Sequence, residues 1–303
     1  MTAELSPASF EQLGSLKILA RQVVEGFITG LHKSPFHGFS VEFSEHRQYN
    51  PGESIRHIDW KLMARSDKTF VKRYEDETNL RCQLVIDNSS SMYFPEGAKS
   101  KIHFSAFASA CLAYLLRGQR DAFGLTVVND GIAYHTPAKS TQAHQQLLFG
   151  KLEELMHSPK PNTGTRLAPA LHQLADSLHK RSLVVLFSDM MEESLQMDDF
   201  FQALQHLRYC KHEVILFHVA DREKEFQFDF ANRPYQFIDM ESGETIRLQP
   251  SEVKEQYLQN MKQFMDGLQN TCAQYKIDLV EAPAGDDYRQ ILLTFLAKRA
   301  GMG

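Results

Sequence analysis

A run of oxygen-bearing side chains follows an apolar stretch near residue 87. The sequence Val85-Ile86-Asp87-Asn88-Ser89-Ser90-Ser91 places an aspartate at the end of that stretch, and serines at the second and fourth positions after the aspartate. A hard cation such as Mg²⁺ prefers small oxygen ligands and keeps several of its waters. The pattern Asp-x-Ser-x-Ser therefore predicts a binding site for a divalent metal ion.

Two further segments carry residues of the same chemical type. Thr165 stands in Asn162-Thr163-Gly164-Thr165, and Asp189 ends a second apolar run, SLVVLFS, at 182–188. Because parallel strands bring ligand-binding residues to the edge where their carboxyl ends meet, these segments are expected to converge. The predicted ligands of Mg²⁺ or another divalent cation are Asp87, Ser89, Ser91, Thr165 and Asp189.

Each of these residues also has a purely structural interpretation. Ser89 to Ser91 fit a polar loop, Thr165 could cap a helix that begins at Leu167, and Asp189 suits a turn. Three separate structural roles do not explain why all three segments occur at matching places in an alternation of strands and helices.

The elements that must position these residues are indicated by hydrophobic spacing. From Leu80 onward, apolar runs alternate with stretches of helical periodicity, which predicts a mostly parallel α/β sheet with helices on both faces. The expected strands are 82–86, 122–128, 132–135, 182–188, 213–219 and 277–280, and the expected helices are 99–116, 142–156, 167–178, 200–209, 251–275 and 288–298.

The flanking segments suggest two parts, 1–79 and 80–303. Residues 9–30 have the spacing of an amphipathic helix, and the Gly-, Pro- and His-rich stretch that follows suits short strands and turns. Within the second part, a hairpin insertion is expected near 232–250, broken at Glu241-Ser242-Gly243, and Ser251 is the predicted N-cap of the helix after it.

Composition and net charge argue against several classes of protein. The 303 residues are 43% hydrophobic and 23% charged with a formal net charge of −5, which argues against disorder and against a general affinity for nucleic acid. The basic residues of 47–73 are interleaved with acidic ones, so a salt-bridged collar around Trp60 is favoured over a nucleic-acid surface. Four scattered cysteines indicate reduced thiols and a cytoplasmic protein, with no membrane-spanning segment and no signal peptide.

The three segments with the predicted ligands resemble the metal-ion-dependent adhesion site of von Willebrand factor A domains. Upstream residues resemble the signature of a bacterial family, domain of unknown function 58. That signature comprises Gly30-Leu31-His32-Lys33-Ser34, Gly38, Glu42-Phe43, Arg47, Tyr49, Pro51-Gly52-Glu53, Arg56, Ile58-Asp59-Trp60 and Ala64-Arg65. Thr163 departs from the pattern, because a glycine is usual before Gly164-Thr165.

The resemblance implies a von Willebrand factor A-like, doubly wound fold with an N-terminal helix and a small β-rich segment. The hydroxyls of Ser89, Ser91 and Thr165 would contact the metal, while Asp87 and Asp189 would act directly or through water. The implied protein is a cytoplasmic partner of a MoxR-type AAA ATPase in chaperone-like assembly. An acidic side chain of a partner would fill an open coordination position on the metal.

Two alternatives to a metal-dependent binding module stay open. An aspartate after a buried strand could be the nucleophile of a Mg²⁺-dependent phosphohydrolase, but Ser89 stands where a second aspartate is expected in such enzymes. No G-x-x-x-x-G-K-[ST] loop is present to bind ATP. The other alternative is a scaffold that needs no metal.

Overall fold

The fold is described from a computed structural model covering residues 16–32, 46–48, 70–72, 80–161, 166–190, 194–241, 243–285 and 287–300. Thr165 and Trp60, and with Trp60 the predicted collar, lie outside these residues. The chain divides into two compact units, one formed by residues 1–27 with 80–303 and the other by residues 28–79. In the smaller unit β1 (His46–Gln48) pairs antiparallel with β2 (Phe70–Lys72).

A six-stranded sheet in the order β10-β7-β6-β3-β4-β5 forms the centre of the larger unit. All neighbouring strands in it are parallel except β4 and β5, which are antiparallel. The mostly parallel α/β sheet predicted from the sequence is thus confirmed. The strands are β3 (Arg81–Asp87), β4 (Ala122–Val128), β5 (Ile132–His135), β6 (Leu183–Ser188), β7 (Glu213–His218) and β10 (Asp278–Glu281).

Helices cover both faces of this sheet. One face packs Val85, Val184 and Leu216 against apolar residues of α4, α5 and α6. On the other, α2 packs on β3 and β4, and its Phe104 and Phe107 rings contact Tyr288 just before α7. The helices are α1 (Leu16–His32), α2 (Lys101–Gly118), α3 (Gln142–His157), α4 (Leu167–Ser177), α5 (Ser194–Tyr209), α6 (Pro250–Gln274) and α7 (Arg289–Ala300).

Burial on both faces explains why the central strands are continuous apolar runs. Every residue of β6 is buried, as are all residues of β3 after Arg81 and all residues of β7 after Glu213. A strand between two helical layers has no face for polar side chains, so alternation disappears. Apart from Gln83 within β3, the buried polar residues of these strands lie at the carboxyl ends, at Asp87, Ser188 and His218.

The predicted hairpin insertion is present and forms its own two-stranded sheet. Strand β8 (Tyr235–Ile238) pairs antiparallel with β9 (Thr245–Leu248). The prediction of Ser251 as the N-cap of the next helix was wrong, because α6 begins at Pro250 with Gln249 in the cap position. Proline suits the first helical position, where its missing N–H costs no hydrogen bond.

Two helix boundaries also differ from expectation. Helix α5 begins at Ser194 rather than at residue 200, and its Met197 packs against the core. Helix α2 begins at Lys101 after a cap by Ser100, whose hydroxyl accepts the His103 N–H. Among the described residues, no helix combines the length and the apolar character needed to cross a membrane.

Candidate metal centre

The carboxyl ends of β3 and β6 bring two aspartates to one edge of the sheet. These strands are adjacent and parallel, with Ile86 opposite Phe187. Asp87 therefore ends β3 beside the end of β6, and Asp189 is the first residue after β6. Both aspartates are almost fully buried, at 2% and 1% exposure. Two carboxylates withdrawn from water need partners that compensate their charge.

The carboxylate of Asp87 is held by hydrogen bonds to each of its oxygens. Oδ1 accepts the backbone N–H of Ser89 at 2.9 Å, and Oδ2 accepts the hydroxyl of Ser188 at 2.7 Å. The Ser188 hydroxyl oxygen in turn accepts the backbone N–H of Met190 at 2.9 Å. These contacts fix the orientation of Asp87 and connect the two strand ends. An oxygen that accepts one hydrogen bond retains a second lone pair.

The loop after β3 places two hydroxyl groups beside each other. Oγ of Ser89 lies 2.9 Å from Oγ of Ser91, whereas the intervening Ser90 donates its hydroxyl to the carbonyl of Pro161 at 2.5 Å. Ser89 is buried and Ser91 is partly exposed. We name Asp87, Ser89, Ser91 and Asp189 the rim cluster. The structure thus brings four of the five predicted residues to the same end of the sheet.

Thr165, the fifth predicted residue, lies outside the described residues, but both flanks of its segment are held close to the rim cluster. Pro161 accepts the hydrogen bond from Ser90, and the N–H of Arg166 donates to the carbonyl of Asn129 at 3.0 Å. The side chain of Asn129 in turn accepts a hydrogen bond from Asn88 at 2.9 Å. The role of Thr165 stays a prediction.

A buried lysine pairs with Asp189. Nζ of Lys101 lies 2.7 Å from Oδ2 of Asp189 and 2.5 Å from Oε1 of Glu225, and its side chain is fully buried. Burial alone would lower the pKa of Lys101, but the two carboxylates outweigh it and raise that pKa. Burial raises the pKa of Glu225, and Lys101 opposes this effect. The lysine is therefore a permanent cation that neutralises part of the negative charge here.

A third carboxylate reaches the rim cluster from the β8–β9 hairpin. The hydroxyl of Ser91 donates to Oε1 of Glu241 at 3.3 Å. Partial burial and the negative charges of Asp189 and Asp87 raise the pKa of Glu241 to about 7. Glu241 is thus in the electrostatic field of both rim aspartates. The arrangement concentrates negative charge where oxygen atoms converge.

These donors fit a hard divalent cation. All four members of the rim cluster offer oxygen, two as carboxylates and two as neighbouring hydroxyls, which is the ligand chemistry of Mg²⁺. The mutual repulsion of carboxylates, visible in the pKa of Glu241, is relieved by a bound positive charge. Lys101 already donates a hydrogen bond to Oδ2 of Asp189, so this oxygen differs from the other predicted ligand atoms in having a cation beside it.

Four residues at this site were not predicted from the sequence. Ser188 directly precedes a predicted ligand, so its position was an available signal. Lys101, Glu225 and Glu241 had no such signal, because each lies far along the chain from the residue that it contacts.

A second cluster of metal-binding residue types lies where α4 and α5 end. Ligand atoms of Asp176, His206 and Cys210 all lie within 4.8 Å of one another. Nδ1 of His206 is 2.9 Å from Nδ1 of His172, and its Nε2 is 3.4 Å from Oδ1 of Asp176. His172 and Asp176 are four positions apart on one face of α4, and Cys210 directly follows α5, which contains His206.

Comparison with known proteins identifies relatives over most of the chain. The model of the family described as protein of unknown function DUF58 matches residues 45–264. Uncharacterized proteins of Mycobacterium tuberculosis and Mycobacterium bovis are each 25% identical over 209 residues, which is 69% of this chain and 64% of theirs. The match thus spans less than two thirds of the length of these relatives.

Two solved structures illustrate the structural similarity. The conserved hypothetical protein BatB from Bacteroides thetaiotaomicron is 12% identical with a TM-score of 0.45, covering 73% of this chain and 99% of that one. The SpRpn10 VWA domain is 11% identical with a TM-score of 0.37, covering 70% of this chain and 93% of that one.

Proposed function

Starting from the fact that the chain belongs to the DUF58 family, as its residues predicted, we propose that it is a metal-dependent protein-binding module. The observation that carries the proposal is the convergence of the rim cluster at the ends of two adjacent parallel strands. A cation held there would offer an open coordination position to a carboxylate oxygen of a partner protein. The proposed ligands are Asp87, Ser89, Ser91, Thr165 and Asp189, and the proposed cation is Mg²⁺.

The residues of the chain have distinct parts in this proposal. Asp87 is oriented by Ser188 and by the Ser89 N–H, so it supplies negative charge at a fixed position. Ser89 and Ser91 present neutral hydroxyls, which leave positive charge on the cation to attract an acidic partner. Lys101 lowers the net negative charge further by pairing with Asp189. A site with fewer uncompensated carboxylates has more attraction for a carboxylate from outside.

We infer that the partner is a MoxR-type AAA ATPase or its client, as the family resemblance implies. Binding rather than catalysis is supported by Ser89, which stands where a phosphohydrolase with an aspartate nucleophile is expected to carry a second aspartate.

Calorimetric titration of the full chain with Mg²⁺ tests the metal site. We expect Asp87→Ala and Ser89→Ala to abolish or strongly weaken binding, and Asp266→Ala, an exposed aspartate of α6, to bind like wild type. Circular dichroism checks that each variant is folded. Equal binding by wild type and by both rim variants would refute the metal centre.

Capture of the purified MoxR-type ATPase in Mg²⁺ and in EDTA tests the binding function. Capture that requires Mg²⁺ and is lost in Ser89→Ala supports it, and capture unaffected by EDTA would favour the metal-independent scaffold. Hydrolysis of p-nitrophenyl phosphate serves as the enzymatic arm. Metal-dependent turnover that disappears in Asp87→Asn would favour the phosphohydrolase instead.

A further inference from the structure

The turn of the β8–β9 hairpin presents Glu241 in a defined geometry. The carboxylate Oδ1 of Asp239 accepts the backbone N–H of Glu241 at 2.8 Å, and the N–H of Asp239 donates to the carbonyl of Glu244 at 2.8 Å. Gly243 has a φ of +75°, a conformation that glycine adopts without steric cost. These features fix the backbone that carries the Glu241 side chain.

Aromatic packing holds the base of the same hairpin. The ring of Phe237 lies 5.1 Å from that of Phe230 and 6.1 Å from that of Phe228, and Phe228 lies 4.4 Å from Tyr257 on α6. The Tyr257 hydroxyl donates to the backbone carbonyl of Glu225 at 2.9 Å. Because the Glu225 carboxylate bonds to the lysine that pairs with Asp189, the hairpin base is connected to the rim cluster.

We propose that Glu241 is an internal ligand of the candidate metal centre, occupying the position that an acidic side chain of a partner would take. The proposal rests on the proposed function and concerns its regulation. Its basis is the contact between Glu241 and Ser91, together with the two buried carboxylates beside them. Glu241 itself is exposed, so its side chain can leave without opening the core.

An internal ligand has a direct consequence for partner binding. A carboxylate on the same chain competes at a high effective concentration, because the hairpin holds it beside the site and its binding is intramolecular. Only molecules whose site is not occupied by the hairpin can bind an external carboxylate. The apparent affinity for that carboxylate is therefore the intrinsic affinity multiplied by the fraction of such molecules. A partner must therefore displace Glu241, and only a partner that offers additional contacts does so efficiently.

The test uses Mg²⁺ as the probe and compares wild type with Glu241→Gln. Its matched control is Glu244→Gln, an exposed glutamate of the same hairpin. Calorimetry should show Mg²⁺ affinity falling about tenfold in Glu241→Gln, since a coordinating or orienting group is lost. Hydrogen exchange should show that Mg²⁺ increases amide protection of residues 235–248 in wild type and in Glu244→Gln, but not in Glu241→Gln.

The outcomes separate this proposal from the one on which it rests. If wild type binds Mg²⁺ through Asp87 but Glu241→Gln shows the same affinity and the same protection, the internal ligand is refuted and the metal centre stands. If wild type binds no Mg²⁺, both are refuted. A merely structural hairpin would give equal protection with and without the ion.

The cluster at the ends of α4 and α5 supports a second, independent proposal: we infer that Asp176, His206 and Cys210 bind a borderline metal ion such as Zn²⁺. Their ligand atoms lie within 4.8 Å of one another, and they combine the oxygen, nitrogen and sulfur donors that Zn²⁺ accepts. His172 contacts the second ring nitrogen of His206 and so orients its imidazole, as partners of ligating histidines commonly do.

The ligand count predicts an open site. Three protein ligands leave one tetrahedral position for water, and the Cys210 thiol releases its proton when the sulfur binds. All three residues are at least partly exposed, so the ion has access from solvent.

Titration of the full chain with Co²⁺ tests this site, because thiolate ligation gives a sulfur-to-cobalt charge-transfer band. We expect the band in wild type and in His179→Ala, an exposed histidine beyond α4, and its loss in Cys210→Ser and His206→Ala. Competition with Zn²⁺ should remove the band. Absence of the band in wild type, or its persistence in Cys210→Ser, overturns the assignment.

Discussion

Nζ of Lys101 lies 2.7 Å from Oδ2 of Asp189, and both side chains are withdrawn from solvent. The lysine is the first residue of α2, where the helix dipole disfavours positive charge. Its charge is stabilised by Asp189 and by Glu225, which approaches from the segment after β7. This ion pair joins the start of a helix to the end of a strand within the candidate metal centre.

Replacing Lys101 with methionine should therefore destabilise the fold. The change leaves the carboxylates of Asp189 and Glu225 without their cation, and loss of one partner of a buried ion pair costs about 3–5 kcal/mol. Urea denaturation in EDTA measures this loss. Lys151→Met removes the ion pair with Glu154 at the surface and should cost less than about 1 kcal/mol. Equal stabilities of the two variants would contradict the structural importance of the buried pair.

Ser188→Ala should lower stability by about 1–3 kcal/mol, because it removes a hydroxyl that donates to Asp87 and accepts from the Met190 N–H. The variant should also bind Mg²⁺ more weakly, since Asp87 loses its orienting partner. Thermal unfolding with chelator and calorimetry with Mg²⁺ measure the two effects separately. Ser177→Ala, at the end of α4, is the control, and an Mg²⁺ affinity of Ser188→Ala equal to that of this control would show that orientation of Asp87 is unimportant.

Replacing Gly124, in the middle of β4, with alanine should destabilise the fold. A Cβ atom there would lie 2.4 Å from the carbonyl oxygen of Thr136 and 2.5 Å from Oε1 of Gln83. Overpacking of this kind costs about 1–3 kcal/mol. Gly150→Ala in α3 meets no heavy atom within 4 Å and should stabilise by about 0.5–1 kcal/mol. Chemical denaturation should show a lower free energy of unfolding for Gly124→Ala and a higher one for Gly150→Ala than for wild type.

Stability should fall as the pH decreases from 6.5 toward 4, in part because of His218. Burial is the main cause that lowers its pKa to about 4; the Asp189 charge opposes this and the Lys101 charge adds to it. Among the described residues, the buried Nδ1 of His218 has no hydrogen-bond partner, so a second N–H would find no acceptor. In this window the unfolded chain binds the proton and the folded chain does not, so acid favours unfolding.

The size of this effect follows from the difference between the pKa of His218 in the folded chain, about 4, and its ordinary value of 6.5. One pKa unit corresponds to about 1.4 kcal/mol, so His218 accounts for roughly 3 kcal/mol of stability lost by pH 4. Denaturation of His218→Gln between pH 7 and pH 4 should give a shallower decline than wild type. The exposed His157→Gln is the control, and identical pH profiles for all three proteins would contradict this role of His218.

Much of the fold was predictable because its signals are local. Apolar runs such as 182–188 predicted strands covered on both faces, and the strands expected at 122–128 and 132–135 are β4 and β5. The N-terminal boundary of α5 was missed because Asp198 and Asp199 separate Met197 from the apolar run that begins at Phe200, and the Ser251 cap was wrong because Pro250 could begin the helix itself.

The sequence by itself determined that Asp87, Ser89, Ser91 and Asp189 lie at or just after the ends of strands, because a buried apolar run is a local signal. Only the tertiary structure decided that Lys101 meets Asp189, 88 positions away, and that Glu241 meets Ser91, 150 positions away. Contacts at such separations depend on the packing of whole elements against one another, and no local pattern of residues specifies which charged side chain arrives there.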